Sequence, residues 1–236
     1  MGTGTLGAER GRFVVFTGFW PAGAALPESV LPVEADFVAC ADGGYAAAAR
    51  AGVRVDIVIG DFDSLSAGQV CDIEKAGIPC VRHPAEKDDT DTMLCVKYGL
   101  AHGFENFAIV GGIGGDFGHT MANLQLLSFL TDMECAAEIV TGAERLLMAD
   151  GETVRVRGEP KSAVPLSFCG RAGARFSVLS YAERSSGVSI KNAKYELDGA
   201  VLTQSYPVGV SNEFANERPV TVSVRYGRLL VIAGES

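Results

Sequence analysis

Short apolar runs alternate with helical patterns over the first 140 residues of the chain. Between the runs, apolar residues recur three and four positions apart, which predicts helices at 46–51, 67–76, 90–101 and 119–130. The runs themselves predict five short buried strands, at 12–17, 36–41, 56–59, 79–82 and 106–110. Residues 137–141 are a candidate for one further strand. This alternation is typical of a doubly wound, mostly parallel sheet covered by helices on both faces.

The two longer predicted helices each have an apolar side that we expect to pack against the sheet. The residues on these two sides are Met93, Val96 and Leu100 in the third helix, and Met121, Leu124 and Leu127 in the fourth.

The pattern changes after about residue 150. Short apolar runs separated by turn dipeptides, such as Asp198-Gly199 and Tyr226-Gly227, follow one another without a helix between them. They predict strands at 153–157, 163–168, 175–179, 187–190, 200–203, 220–225 and 228–232. Such spacing is typical of an antiparallel β-sandwich. We therefore predict an α/β domain over residues 1–146, followed by a β-sandwich domain over residues 147–236.

Composition narrows the class of protein. The chain has 236 residues and a formal net charge of −9, whereas a general nucleic-acid binder needs a basic face. No segment reaches the roughly 18 apolar residues of a membrane span. Its six cysteines lack zinc-type spacing and several lie in apolar runs, which is typical of buried, reduced thiols. We predict a cytoplasmic protein that binds neither nucleic acid nor membranes.

Polar clusters follow the predicted strands, where ligands bind in open α/β sheets. Asp42, Gly43 and Gly44 form the first cluster, and a plain strand–helix turn would also explain them. In the second, Asp61 and Asp63 would point the same way in extended chain and could hold Mg²⁺ through two carboxylates. The alternative for this cluster is a solvated acidic turn with Ser64 as a helix cap.

Two further clusters precede the predicted helices at 90–101 and 119–130. Residues 87–91 (KDDTD) need only one helix cap, Asp89 or Thr90, which leaves a third carboxylate for a metal and a lysine for phosphate. Residues 111–115 (GGIGG) are typical of a flexible or phosphate-cradling loop, although they match neither the P-loop nor the dinucleotide motif. Together the clusters point to Mg²⁺-dependent chemistry on a nucleotide or polyphosphate.

The chain resembles the thiamine pyrophosphokinase family. The motifs are ADGG at 41–44, GDFDS at 60–64, KDDTD at 87–91, GGDFGHTMANL at 114–124, GVSIKNAKYEL at 187–197 and GVSNEF at 209–214. The resemblance implies transfer of a pyrophosphoryl group from ATP to the thiamine hydroxyl, giving thiamine diphosphate and AMP. It also implies an α/β domain joined to a β-sandwich, in a homodimer with active sites between subunits.

The resemblance also implies roles for particular residues. Asp61, Asp63 and Asp91 would be catalytic and would hold Mg²⁺ and the ATP phosphates. Tyr195 would stack on a thiamine ring, and Ser211 and Asn212 would hydrogen-bond its aminopyrimidine. The residues expected to bind the nucleotide are Asp42, Gly43, Gly44, Ser64, Lys87, Asp88, Thr90, Gly114, Gly115, Asp116, His119, Thr120 and Asn123.

Two positions depart from the family pattern GGRxDHT. Asp116 stands where the family has Arg, and Gly118 stands where it has Asp. The first change removes a cation that could stabilise phosphate, and Arg82 or Lys87 could supply one instead. Asp116 could take over part of the role of the lost acid. Two alternatives stay open: a diphosphokinase acting on another alcohol such as a hydroxymethyl pterin, and a catalytically weak protein that binds nucleotide or thiamine.

Overall fold

A computed structural model describes residues 11–21, 23–28, 31–86, 88–151 and 165–234. The chain forms two compact units. The first comprises Met1–Leu126 and Glu134–Gly142, and the second comprises Leu127–Met133 and Ala143–Ser236.

The described residues of the first unit form six parallel strands. They are β1 (Phe13–Phe16), β2 (Phe37–Ala41), β3 (Ile57–Gly60), β4 (Cys80–Arg82), β5 (Asn106–Val110) and β6 (Ala136–Val140). The spatial order is β6-β5-β1-β2-β3-β4, and every neighbouring pair is parallel. Strands β1 and β3 are buried along their whole length, as expected for a sheet covered on both faces. The predicted parallel sheet is therefore confirmed.

Four helices lie where the helical patterns predict them. They are α1 (Gly44–Arg50), α2 (Ala67–Lys75), α3 (Asp91–Ala101) and α4 (Phe117–Asp132). Helix α2 begins at a capping box formed by Ser66 and Gln69. Ser66 therefore caps α2, and Ser64 does not. Helix α3 begins after Thr90, whose hydroxyl accepts the Met93 N–H at 3.2 Å, so Thr90 is its N-cap.

The predicted apolar sides of α3 and α4 are confirmed only in part, because Val96 and Leu127 are buried whereas Met93, Leu100 and Leu124 are half-buried. In α3 the buried residues are Thr92, Cys95, Val96 and Gly99. In α4 they are Asn123, Leu126, Leu127 and Leu130, while Met121 is exposed. Small residues form much of the buried side of α3 because they let the helix lie close to aromatic rings in the sheet. Gly99 is such a position: a β-carbon there would lie 2.7 Å from the Phe107 ring and 2.9 Å from the Phe13 ring.

The order of the strands in the parallel sheet reverses direction beside β1. From β1 the chain proceeds outward on one side through β2, β3 and β4, and then returns to place β5 and β6 on the other side. The carboxyl ends of β1 and β5 therefore flank a topological switch point, where open α/β sheets form their ligand crevice.

The described part of the second unit forms two antiparallel sheets. Their strands are β7 (Glu144–Asp150), β8 (Leu166–Phe168), β9 (Arg175–Ser180), β10 (Arg184–Lys191), β11 (Leu197–Thr203), β12 (Asn212–Glu213), β13 (Val220–Ser223) and β14 (Arg228–Gly234). The orders are β12-β9-β14-β7 and β11-β10-β13-β8. Buried residues of both sheets share one core, so the predicted β-sandwich is confirmed. The strand predicted at 153–157 lies outside the described residues.

The cysteines are less buried than predicted. Cys40 and Cys95 are buried, but Cys71, Cys80 and Cys169 are exposed. Burial raises the pKa of the Cys40 and Cys95 thiols far above the usual range, which keeps both protonated. None of the four helices in the described part of the chain has the length and apolar character that crossing a membrane requires. The cytoplasmic location stays a prediction.

Candidate active site

A buried carboxylate lies at the carboxyl end of β2. Asp42 has a left-handed backbone with φ 41°, and its N–H donates to the Ile59 carbonyl at 2.9 Å. Its side chain is only 5% exposed. Oδ2 accepts the Ser64 N–H at 3.2 Å, whereas Oδ1 is buried and accepts no hydrogen bond from the described residues. A buried carboxylate oxygen without a donor is costly, so Oδ1 is a candidate ligand atom for a cation or a polar group.

Two more carboxylates meet Asp42. Asp61 follows β3 and Asp91 opens α3, and one carboxylate oxygen from each of the three acids lies within 4.8 Å of the others. We call Asp42, Asp61 and Asp91 the acid cluster. Three carboxylates at this separation repel one another, and a hard divalent cation with oxygen ligands relieves that repulsion. The donor set therefore fits Mg²⁺.

Asp63 lies outside the acid cluster. Its carboxylate is exposed and accepts the Ser64 hydroxyl at 3.0 Å, while its N–H donates to Asp61 at 3.2 Å. The expectation that Asp61 and Asp63 point the same way assumed extended chain, but Phe62 between them has φ 70°. Such a left-handed residue turns the chain, so Asp42 occupies the place that sequence spacing assigned to Asp63.

The Phe62 side chain contacts a cationic side chain, that of Arg82. Its ring packs against the apolar cluster under the sheet, and the Arg82 guanidinium carbon lies 4.5 Å from the ring centroid. Arg82 ends β4 in register with Gly60, the residue before Asp61. Arg82 is one of the two cations predicted to replace the missing arginine, and it lies opposite the last residue of the strand that precedes Asp61.

The KDDTD segment, residues 87–91, provides the predicted helix cap and one carboxylate of the acid cluster. Thr90 caps α3 and Asp91 joins the acid cluster, whereas Asp89 forms an ion pair with Lys97. Asp88 is exposed, and Lys87 lies outside the described residues.

Residues 111–115, the glycine loop, are held by the first turns of α4. Four of the five are glycines with φ between 67° and 101°, a region that other residues avoid. Asn123 is buried and donates from Nδ2 to the Gly112 carbonyl at 2.8 Å. The Thr120 hydroxyl accepts the Gly114 N–H at 3.0 Å. These two side chains, predicted to bind the nucleotide, hold the loop.

The two departures from the family motif lie at the start of α4. Asp116 Oδ1 accepts the His119 N–H at 2.9 Å, which makes Asp116 the N-cap of the helix. Gly118 and His119 are exposed. The Oδ1 atom of Asp116 is therefore engaged in capping the helix.

Sequence reasoning gave Phe19 no role. Phe19 follows β1, its carbonyl accepts the Gly112 N–H at 2.9 Å, and its ring is 37% exposed. The only sequence signal was a large apolar residue directly after a buried strand.

In the second unit, Asn212 fixes Tyr195. Asn212 is buried; its Oδ1 accepts the Tyr195 N–H at 3.1 Å and its Nδ2 donates to the Tyr195 carbonyl at 2.8 Å. The Tyr195 side chain is 58% exposed. Ser211, also exposed, has φ 59° and donates its N–H to Ser177 at 3.2 Å. The amide of Asn212 is thus engaged with main chain and presents Tyr195 to solvent.

A charged pair lies beside Tyr195. The Lys194 ammonium lies 5.4 Å from the Tyr195 ring centroid and 2.7 Å from Glu213. The hydrogen bond to Glu213 raises the pKa of Lys194 above its ordinary value. The tyrosine ring therefore already accepts a cation on its face.

Two family models match the chain. The catalytic domain of thiamin pyrophosphokinase matches residues 30–140, and the vitamin B1 binding domain of thiamin pyrophosphokinase matches residues 169–229. The first range contains the acid cluster and the glycine loop, and the second contains Tyr195 and Asn212.

Individual relatives agree. A thiamine pyrophosphokinase of Bacillus subtilis is 26% identical over 192 residues, which are 81% of this chain and 84% of the relative. The solved structure of thiamine pyrophosphokinase from Bacillus subtilis has a TM-score of 0.81 at 20% identity, covering 95% of this chain and 100% of that one. The solved structure of thiamin pyrophosphokinase from Candida albicans has a TM-score of 0.76 at 13% identity, covering 97% of this chain and 90% of that one. These structures share the fold of this chain.

Proposed function

Because the chain belongs to the thiamine pyrophosphokinase family, we propose that it transfers the pyrophosphoryl group of ATP to the hydroxyl group of thiamine in an Mg²⁺-dependent reaction. The products are thiamine diphosphate and AMP. The observation that carries this proposal is the acid cluster at the carboxyl edge of the sheet, within the range matched by the catalytic model. The match of the second unit to a vitamin B1 binding domain favours thiamine over a hydroxymethyl pterin.

Asp42, Asp61 and Asp91 are the residues that would hold Mg²⁺. When bound, the ion neutralises phosphate charge and orients the phosphates. The buried oxygen of Asp42 without a hydrogen-bond donor supports Asp42 as a ligand. The sequence alone predicts that Asp42 binds the nucleotide, and the metal is a different role for the same carboxylate.

The reaction needs a proton acceptor as well as a metal site. The thiamine hydroxyl oxygen bonds to the β-phosphorus, the bond from that phosphorus to the bridging oxygen of AMP breaks, and the hydroxyl proton passes to a base. Asp61, Asp63 and Asp91 are the proposed catalytic carboxylates. Asp63 is the proposed acceptor because it adjoins the acid cluster in the chain but lies outside it.

The nucleotide-binding role is proposed for the loops around the acid cluster. Backbone groups at Gly43, Gly44, Gly114 and Gly115 would line ATP. The side chains assigned with them are Ser64, Lys87, Asp88, Thr90, Asp116, His119, Thr120 and Asn123. Of these, Thr90, Asp116, Thr120 and Asn123 support the site by capping helices or holding the glycine loop.

Thiamine recognition is proposed for the second unit. The Tyr195 ring offers a face to the cationic thiazolium, because aromatic faces attract cations. Ser211 and Asn212 lie beside it, and Asn212 acts through the Tyr195 main chain. The proposed homodimer, with active sites between subunits, is supported by exposed apolar side chains of this unit: Val201, Tyr206, Val208, Val210 and Tyr226.

The test is an assay of AMP and thiamine diphosphate formed from ATP, Mg²⁺ and thiamine. We expect both products from the native chain, and a loss of kcat of at least about 100-fold in Asp61→Asn, as is usual when transition-state charge stabilisation is removed. The matched control is Asp72→Asn, an exposed acid on α2, which should retain native activity.

Each outcome has a separate meaning. If the native chain binds thiamine but forms no AMP with any divalent metal, it is a binding protein and the proposed function is wrong. If Asp61→Asn turns over at a near-native rate, the function stands and the acid cluster loses its role. A panel of other alcohols, including a hydroxymethyl pterin, tests the acceptor.

A further inference from the structure

The loop after β1 forms one side of the crevice at the topological switch point. Strands β1 and β5 are parallel neighbours in register, with Phe16 opposite Val110. Their carboxyl ends lead into residues 17–20 and into the glycine loop. These two loops are joined directly, because the Gly112 N–H donates to the Phe19 carbonyl at 2.9 Å.

The Phe19 ring lies against the glycine loop. A β-carbon at Gly114 would be 2.9 Å from the nearest ring atom, and one at Gly115 would be 2.7 Å away. Both distances are shorter than real side-chain contacts, so these glycines make room for the ring. The Gly112 N–H donates to the Phe19 carbonyl, and the Thr17 hydroxyl donates to the Val110 carbonyl at 3.0 Å, so the backbone that carries the ring is held to β5 and to the glycine loop.

The same loop contacts the turn that carries the acid cluster. A β-carbon at Gly43 would lie 3.7 Å from the Gly18 α-carbon and 3.4 Å from the Ser64 β-carbon. Gly43 therefore adjoins both Gly18 of this loop and Ser64 of the segment after Asp61. Phe19 follows Gly18 directly in the chain. The residue is 37% exposed.

We propose that Phe19 is the stacking platform for the adenine base of ATP. The inference rests on the proposed function and adds the residue that would recognise the base. An aromatic ring fixed on one side by the glycine loop offers its exposed surface to a flat base without further ordering. Stacking of this kind changes affinity about 10- to 100-fold per base when the ring is removed.

The experiment separates base binding from phosphate binding. The inhibition constants of AMP and of inorganic tripolyphosphate are measured for the native chain, Phe19→Leu and Phe19→Trp. We expect Phe19→Leu to weaken AMP about 10- to 100-fold and to leave tripolyphosphate unchanged, and Phe19→Trp to restore AMP. Phe117→Leu is the matched control, because Phe117 is a 75% exposed ring beside the same loop.

Three results would overturn the proposal. Unchanged AMP inhibition in Phe19→Leu would show that the ring does not contact the base. Equal weakening of AMP and tripolyphosphate would show that the ring only supports the glycine loop. A loss of AMP binding in Phe117→Leu alone would show that the base stacks on Phe117 of α4 and not on Phe19. Failure of the proposed function is distinct from all three, because the native chain itself would then form no AMP.

Discussion

Asn123 shows how a buried polar side chain can hold the loop of a candidate site. The motif placed it among the nucleotide-binding residues, but its buried amide donates to the carbonyl of Gly112. A β-carbon at Gly112 would lie 2.4 Å from that amide nitrogen, so helix and loop are in tight contact. The residue type and its helix were predictable, whereas the direction of its hydrogen bond depends on a left-handed loop that no local pattern specifies.

Asn123→Ala should weaken ATP binding more than it slows turnover. The change leaves the buried Gly112 carbonyl without its donor, which costs about 1–3 kcal/mol of stability and loosens the glycine loop. We expect a raised KM for ATP, a smaller change in kcat and a lower unfolding temperature. Steady-state kinetics and thermal unfolding measure these. Gln125→Ala, an exposed change on the same helix, is the control. A fall in kcat at unchanged KM would instead place Asn123 in the chemical step.

The acid cluster also shows where residue-level prediction ends. Asp61 and Asp91 were assigned to the metal from sequence, and the structure brings them together. The third member is Asp42 because Phe62 turns the chain and leaves Asp63 outside. A positive φ at a phenylalanine is rare enough that spacing alone would not predict it.

At the scale of elements, α3 connects packing with chemistry. Its first residue, Asp91, belongs to the acid cluster, while Gly99, two turns later, lies against the rings of Phe13 and Phe107. Those rings are buried in the sheet. The packing of α3 against these two rings therefore determines the position of Asp91.

Gly99→Ala should destabilise the chain despite the better helix propensity of alanine. The propensity gain is about 1 kcal/mol, but the added methyl would overlap two buried rings, and overpacking costs about 1–3 kcal/mol. The displaced helix would also move Asp91, so we expect reduced activity at saturating ATP and thiamine. Chemical denaturation and the AMP assay measure the two effects.

Gly68→Ala in α2 is the matched control. The nearest atom to a β-carbon at Gly68 would be the Ser66 hydroxyl oxygen, 3.9 Å away, so the methyl fits. This variant should be as stable as the native chain or slightly more so. Equal stability of Gly99→Ala and Gly68→Ala would show that α3 is not seated on the two rings.

The elements themselves were mostly predictable, and the exceptions have a common cause. Strand β7 was not predicted because its sequence, ERLLMAD, is rich in good helix formers. It is a strand because it pairs with β14 over its whole length, from Glu144 opposite Gly234 to Asp150 opposite Arg228. Strand β12, two residues long, is likewise defined by its partner β9. Pairing with sequence-distant strands is not visible in a local pattern.

At the scale of the whole molecule, the formal charge of −9 makes cation binding a matter of stability as well as catalysis. Three acidic side chains converge within 4.8 Å in the first unit. Their mutual repulsion opposes folding, and a cation that binds only the folded chain offsets it by mass action.

Mg²⁺ alone should therefore raise the unfolding temperature, and Asp42→Asn should abolish the rise. At a free Mg²⁺ concentration ten times the Kd, mass action contributes about 1.4 kcal/mol. For a chain of this size, that gain is a shift of about 3–6 °C. Differential scanning calorimetry with and without chelator measures the shift. Without metal, Asp42→Asn should be at least as stable as the native chain, because one repelling charge is gone.

The two-unit organisation makes this prediction more specific. If the units unfold in separate transitions, Mg²⁺ should move only the transition of the first unit, since that unit holds the acid cluster. Asp72→Asn likewise removes one negative charge, on the exposed side of α2, and it should keep the full Mg²⁺ response. An equal Mg²⁺ response in Asp42→Asn and Asp72→Asn would mean that the ion acts on general surface charge and not at the acid cluster.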